Sequence, residues 1–121
     1  MDDAPVKVDG KPAWLLDQLG NEFALVQYVA TKDKKTETFR DFKDCDGILI
    51  HPVIVAESGV ESALSKTGVP VLVDTEGWFQ KRFDASDGTC YLIRPDQHVC
   101  ARWRAFDPDA VQQALQKAIG N

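Results

Sequence analysis

Three cysteines and two histidines carry the strongest intrinsic chemistry in this 121-residue chain. Thiol–disulfide exchange needs an attacking thiolate, usually at a helix N-terminus, and a resolving thiol close by. Cys45, Cys90 and Cys100 are too widely spaced to form a C-x-x-C. Their odd number, with no secretion signal, reads as free thiols in a reducing compartment. A Cys90–Cys100 bridge also fails on strand geometry. In a hairpin whose turn lies within residues 94–99, Cys90 falls opposite Trp103 and Cys100 opposite Ile93, with the thiols on opposite faces. His51 and His98 offer one close pairing with cysteine, His98-Val99-Cys100. Two ligands are fewer than a structural zinc site needs. Ser58 and Ser62 lie in a polar connection and outside any G-x-S-x-G, and the chain has no G-x-G-x-x-G or P-loop.

Charge narrows the partners. Fourteen Lys and Arg face nineteen Asp and Glu, a formal net charge of −5. That balance argues against nucleic acid and against an anionic membrane surface. The apolar runs are too short for a bilayer span. The acidic start, Met1-Asp2-Asp3, does not resemble a signal peptide, so a cytoplasmic location is expected.

The elements follow from pattern. Residues 1–13, with two prolines and many charges, read as a linker or an ordered extended arm, and residues 14–121 as one domain. Trp14-Leu15-Leu16 with Leu19 makes one apolar helical turn that Gly20 stops. Residues 23–30 and 47–55 read as buried strands, with Pro52 marking an edge, a bulge or a strand end. Residues 36–42 and 57–67 suit helices, and 69–74 suits a short strand. Residues 76–83 look helical, with Phe79 and Phe83 spaced i, i+4. Residues 89–94 and 98–104 form a hairpin around Pro95-Asp96-Gln97. In its second arm Val99, Ala101 and Trp103 share one face, and His98, Cys100, Arg102 and Arg104 the other. Asp107 and Pro108 start a last helix whose buried face is Val111, Ala114, Leu115, Ala118 and Ile119.

The stretch Arg82-Phe83-Asp84-Ala85, then Gly88-Thr89-Cys90-Tyr91-Leu92-Ile93-Arg94-Pro95-Asp96-Gln97-His98-Val99-Cys100-Ala101-Arg102-Trp103-Arg104, is the most distinctive part of the chain. It resembles the C-terminal domain of FAD-dependent aromatic-ring hydroxylases, the phenol hydroxylase and 3-(3-hydroxyphenyl)propionate hydroxylase group. Asp3-Ala4-Pro5-Val6 and residues 14–26 resemble the front of the same domain. The likeness covers about residues 3–30 and 72–119, while 31–71 are too variable to match.

With the β-α-β, hairpin, helix order, this resemblance implies an α/β, thioredoxin-like fold: a central mixed sheet with flanking helices, lacking the redox C-x-x-C. The loop after the first strand, from Ala30 to Lys35, has no cysteine. Asp87-Gly88-Thr89 stands where a thioredoxin has its cis-proline. The resemblance further implies that the parent enzyme uses FAD and NAD(P)H, both bound by preceding FAD-binding and substrate domains. No catalytic, cofactor or metal residue is then expected in this chain. The expected role is a non-catalytic accessory domain for assembly or subunit contact, with homo-oligomerisation open. A stand-alone binding module of the same fold is the second reading, and a thiol oxidoreductase the third. Tyr91, Arg94, Pro95, Asp96, His98, Arg102 and Trp103 are the expected structural motif. Trp78, His98, Arg102 and Arg104 are the expected interface residues.

Overall fold

A computed structural model describes residues 3–8, 10–20, 22–31, 39, 42, 44–45, 47–64 and 69–120. Eight strands appear among them: β1 Pro5–Val8, β2 Lys11–Trp14, β3 Phe23–Val29, β4 Asp44–Cys45, β5 Ile48–Glu57, β6 Val71–Asp74, β7 Cys90–Ile93 and β8 Val99–Trp103. A 3₁₀ turn covers Leu15–Gln18. The α-helices are α1 Glu61–Leu64, α2 Trp78–Arg82 and α3 Pro108–Gly120. The sheet order is β2-β1-β6-β5-β3-β7-β8, with β4 paired to β5. β3, β5 and β6 run parallel, and the remaining pairings are antiparallel. This is the expected mixed sheet. The helix expected over 36–42 falls largely outside the described residues.

β3 lies inside the sheet, between β5 and β7, because its sequence, FALVQYV, can be buried on both faces, and every one of its residues is buried. Leu25 and Val29 join one core layer with Ile54, Leu92, Val111 and Leu115. Val26 and Tyr28 join the other with Leu15, Leu72, Phe79 and Tyr91. Period-2 alternation along one strand thus feeds two cores.

Pro52 is accommodated by register. The N–H of Ile54 bonds the Pro70 carbonyl at 2.9 Å, on the β6 side of β5. Pro52 lies two residues earlier, so its nitrogen faces the same side. β6 pairs only from Ile54 onward, so the missing donor of Pro52 costs no ladder bond.

Residues 3–8 and 10–13 lie against the sheet. β1 and β2 form a hairpin, and Lys7 of β1 pairs with Val73 of β6, so the arm extends the sheet. Ala4 and Val6 are buried. The Asp3 carboxylate accepts from the N–H groups of Ala4 at 2.8 Å and Leu16 at 2.9 Å. The physical reason is edge satisfaction: an unpaired β6 edge and two short strands complete each other's hydrogen bonds.

α1 starts at Glu61, later than the helix expected over 57–67, because β5 continues to Glu57; residues 65–67 of that expectation lie outside the described residues. At α3 the Asp107 carboxylate accepts from the N–H groups of Asp109 at 3.1 Å and Ala110 at 3.3 Å, the expected N-cap. Val111 and Leu115 are fully buried, each worth about 1.5–3 kcal/mol of burial. Ala118, expected on that buried face, is exposed instead. The last turn of the helix flanks an open groove beside edge strand β8.

Candidate functional site

The hairpin tip is built by local turn chemistry. Pro95 holds the second position of a turn in which the Gln97 N–H bonds the Arg94 carbonyl at 2.8 Å. Gln97 then takes a left-handed φ of 67°, which turns the chain so that the Arg94 N–H meets the His98 carbonyl at 2.8 Å. Arg94 and Asp96 form an ion pair at 2.5 Å, and His98 Nδ1 lies 3.4 Å from the other Asp96 oxygen. Desolvation opposes ionisation of Asp96, but Arg94 and His98 outweigh it and hold the carboxyl below its usual range. Arg94, Pro95, Asp96 and His98 are therefore one exposed turn cluster.

Tyr91 and Arg102 form a second cluster, on the opposite arm pairing. The Tyr91 hydroxyl donates to the Phe83 carbonyl at 2.7 Å, and its ring meets Phe79 and Phe83 edge to face. The Arg102 guanidinium lies 5.6 Å from the Tyr91 ring centre and donates to the Asp84 carbonyl. Asp84 has a left-handed φ of 50°. Arg102, expected at an interface, therefore spans from β8 to the segment after α2. Burial first, and then Asp84 against the opposing pull of Arg102, push the Tyr91 phenol up to about 12.

A β-bulge changes the expected faces of β8. Leu92 pairs with Ala101, but Ile93 pairs with Val99, leaving Cys100 as the extra residue. Cys100 thus packs with Trp103 against the same core layer instead of sharing a face with Arg102. Cys90 falls opposite Trp103 as expected, and neither Cys90 nor Cys100 forms a disulfide. Burial pushes the Cys100 thiol up; Arg94 pulls against it and Asp96 adds to it. The side chain of Cys45 lies outside the description.

Trp103 is half-buried, and with Arg94, Val99, Ala114, Lys117 and Ala118 it borders a groove of about 610 Å³ between β8 and α3. Val99 is 40% exposed on this edge strand, and Arg104 and His98 are also exposed. Trp78 sits elsewhere, on α2. It is 42% exposed, with Lys81 and Arg82 over its ring at 5.4 and 5.2 Å. Of the four expected interface residues, Trp78 thus lies on α2, His98 at the hairpin tip, Arg102 on β8 and Arg104 just after it.

The corner after β3 holds residues that the spacing rules missed. Asp87 accepts from the Ala30 N–H at 2.7 Å and from the Thr31 hydroxyl at 3.2 Å. The adjoining backbone runs along β3, with Gly88 N–H on the Tyr28 carbonyl at 2.8 Å and Tyr28 N–H on the Thr89 carbonyl at 2.9 Å. A carboxylate therefore holds Ala30 and Thr31, the first residues of the loop in which a thioredoxin would carry its reactive thiol. The one signal in the sequence was an acid where a proline is usual.

Comparisons with known proteins fit this geometry. A family profile described as the HcaD C-terminal domain matches residues 5–118. No curated protein matches in sequence. Among solved structures, the bacterioferritin comigratory protein of Xanthomonas campestris is 19% identical, with a TM-score of 0.70 over 98% of this chain and 92% of that one. A putative thiol:disulfide interchange protein DsbE from Chlorobium tepidum is 16% identical, with a TM-score of 0.69 over 98% and 94%. Aklavinone-11 hydroxylase, solved with FAD and aklavinone, is 15% identical, with a TM-score of 0.69 over 98% of this chain but 20% of its own length. These likenesses establish a thioredoxin-like fold. The sequence match reaches from β1 almost to the end of α3, and on that extent this chain belongs to the HcaD C-terminal domain family.

Proposed function

We propose that this chain is a non-catalytic accessory domain of an FAD-dependent, NAD(P)H-using aromatic-ring monooxygenase, serving assembly and subunit contact in the cytoplasm. The observation that carries this reading is the Asp87 tie to Ala30 and Thr31. It fills the fold's reactive corner with a structural carboxylate. The likeness to one fifth of a hydroxylase that binds FAD supports the accessory role.

FAD and NAD(P)H belong, in this reading, to the preceding domains. The crevice at the C-terminal ends of β3, β5 and β6 is where an α/β sheet would receive a dinucleotide. Here it is lined by Glu57, Asp74 and Asp87, and their charge repels a pyrophosphate. The contact surface is the β8 edge with its groove, because it offers unpaired backbone groups beside exposed Val99 and half-buried Trp103.

Size-exclusion chromatography of this chain with the separately expressed FAD-binding portion of its parent tests the reading. Co-elution is expected, and Val99→Asp should abolish it while leaving the circular dichroism spectrum intact. Independent elution of the two wild-type parts, or insulin reduction by this chain, would overturn it.

A further inference from the structure

The groove of about 610 Å³ between β8 and α3 has a shape and a charge that narrow what it can take. β8 ends the sheet. Among the described residues it pairs with β7 alone, so the outer row of N–H and C=O groups along Val99–Trp103 meets no strand. Beside that row α3 presents Ala110, Ala114 and Ala118 to the groove, spaced i, i+4, i+8. Three methyl groups leave the space between helix and strand open, next to exposed Val99 and half-buried Trp103. Backbone that is to be buried there needs a partner for its hydrogen bonds, and an extended chain lying along β8 supplies one.

Charge is the independent observation. The chain carries a net charge of −5, yet residues 98–104, HVCARWR, hold two arginines, a histidine and no acid. No described lining residue of the groove is acidic. Arg94 is taken up by Asp96, and Arg102 by Tyr91 and Asp84. Arg104 and Lys117 are exposed and have no ionic partner among the described residues. Arg104 adjoins Trp103, and Lys117 stands on the α3 wall of the groove. A second copy of β8 would oppose these cations with its own, and like charges across a strand pair are unfavourable. An acidic segment compensates them instead.

We propose that the groove takes an extended, acid-bearing segment of the parent flavoprotein, which adds to β8 as a further strand. The segment's backbone completes the outer row of β8. Alternate side chains point under α3, where apolar ones fill the space left by the three alanines and cover Val99. Its carboxylates meet Arg104 and Lys117. The source of the strand rests on the accessory role proposed above, whereas the mode of binding rests on this edge alone.

Amide hydrogen exchange and chemical-shift titration of the full 121-residue chain test this. The probe is the peptide acetyl-Glu-Val-Thr-Val-Thr-Val-Glu-amide. Its controls are the same peptide with lysine for both glutamates, and the same peptide N-methylated along its centre. The acidic peptide should slow exchange within Val99–Trp103, shift the Lys117 amide saturably, and bind about tenfold tighter than the lysine peptide at low salt. The N-methylated peptide should not bind. Lys117→Glu and Arg104→Glu should each weaken the acidic peptide about threefold. Equal binding of the lysine peptide, binding of the N-methylated one, no saturation, or unaltered affinity in both variants would overturn the proposal. So would light scattering that shows a dimer of the free chain with protected β8 amides, since a second copy would then fill the groove. Chromatography with the FAD-binding portion separates this proposal from the accessory role. Co-elution that survives the double variant Lys117→Glu, Arg104→Glu refutes the strand and leaves the accessory role standing. Independent elution beside saturable peptide binding refutes the parent as the strand's source and keeps β8 as the acceptor.

Discussion

The side-chain amide of Gln97, at the tip of the β7–β8 hairpin, donates a hydrogen bond to the backbone carbonyl of Leu16, 3.1 Å away. The two residues are 81 apart in sequence. The bond joins the C-terminal hairpin to the first helical turn. It also accounts for a non-glycine residue at a left-handed φ of 67°. Gln97 bears a conformational cost of about 1 kcal/mol there, offset by a hydrogen bond worth about the same.

That balance separates two substitutions at one site. Gln97→Ala keeps the backbone cost and loses the bond, so it should destabilise the fold by about 1 kcal/mol. Gln97→Gly loses the bond but relieves the backbone, so the net change should be within about 0.5 kcal/mol. Urea unfolding midpoints check this. A glycine variant as unstable as the alanine variant would show that the hydrogen bond dominates and the backbone cost is absent.

Asp87 should behave as a structural clamp. Asp87→Ala removes the acceptor for the Ala30 N–H and the Thr31 hydroxyl, and should cost about 1–3 kcal/mol. It should also speed hydrogen exchange at the Ala30 amide. Asp87→Asn retains an acceptor oxygen and should recover most of the loss. Unchanged exchange at Ala30 in the alanine variant would refute the clamp.

The chain contains two tyrosines, Tyr28 and Tyr91, and both phenols are raised to about 12. The stability tied to their neutral forms is fully present below the unfolded value near 10. It is lost as pH rises through about 12, because the unfolded chain releases those protons first. Tyrosinate absorbance should therefore be nearly absent at pH 10.5 in the folded protein and well developed at the same pH in guanidinium chloride. A native titration centred near pH 10 would contradict both burial environments.

Cys100 should resist alkylation. Its thiol is raised above the ordinary value mainly by burial, so the thiolate is scarce at neutral pH. Peptide mass spectrometry after iodoacetamide treatment at pH 7.5 should show Cys100 labelled more slowly than in denaturant, with the rate climbing as pH rises above 9. Rapid native labelling at pH 7.5 would indicate an activated thiol and favour redox chemistry.

Several features were legible in residue types alone, because the forces behind them are local. Asp107-Pro108 starts α3 through a cap made by the next three residues. Pro95-Asp96-Gln97 makes its turn within one hairpin tip. The apolar run of β3 requires cover on both faces wherever it is placed. The missing C-x-x-C likewise needed only spacing.

Other features depended on tertiary structure, because they depend on which distant segments meet. The polar segment of residues 5–14 has a weak strand pattern, and becomes a sheet edge only because β6 is there to pair with it. The bulge at Cys100 is a mismatch between two arms, and it moved one thiol to another face. Arg102 reads as a surface cation until Tyr91 and Asp84 arrive beside it. Local propensity acts within a few residues, whereas register and burial are settled by the whole sheet at once.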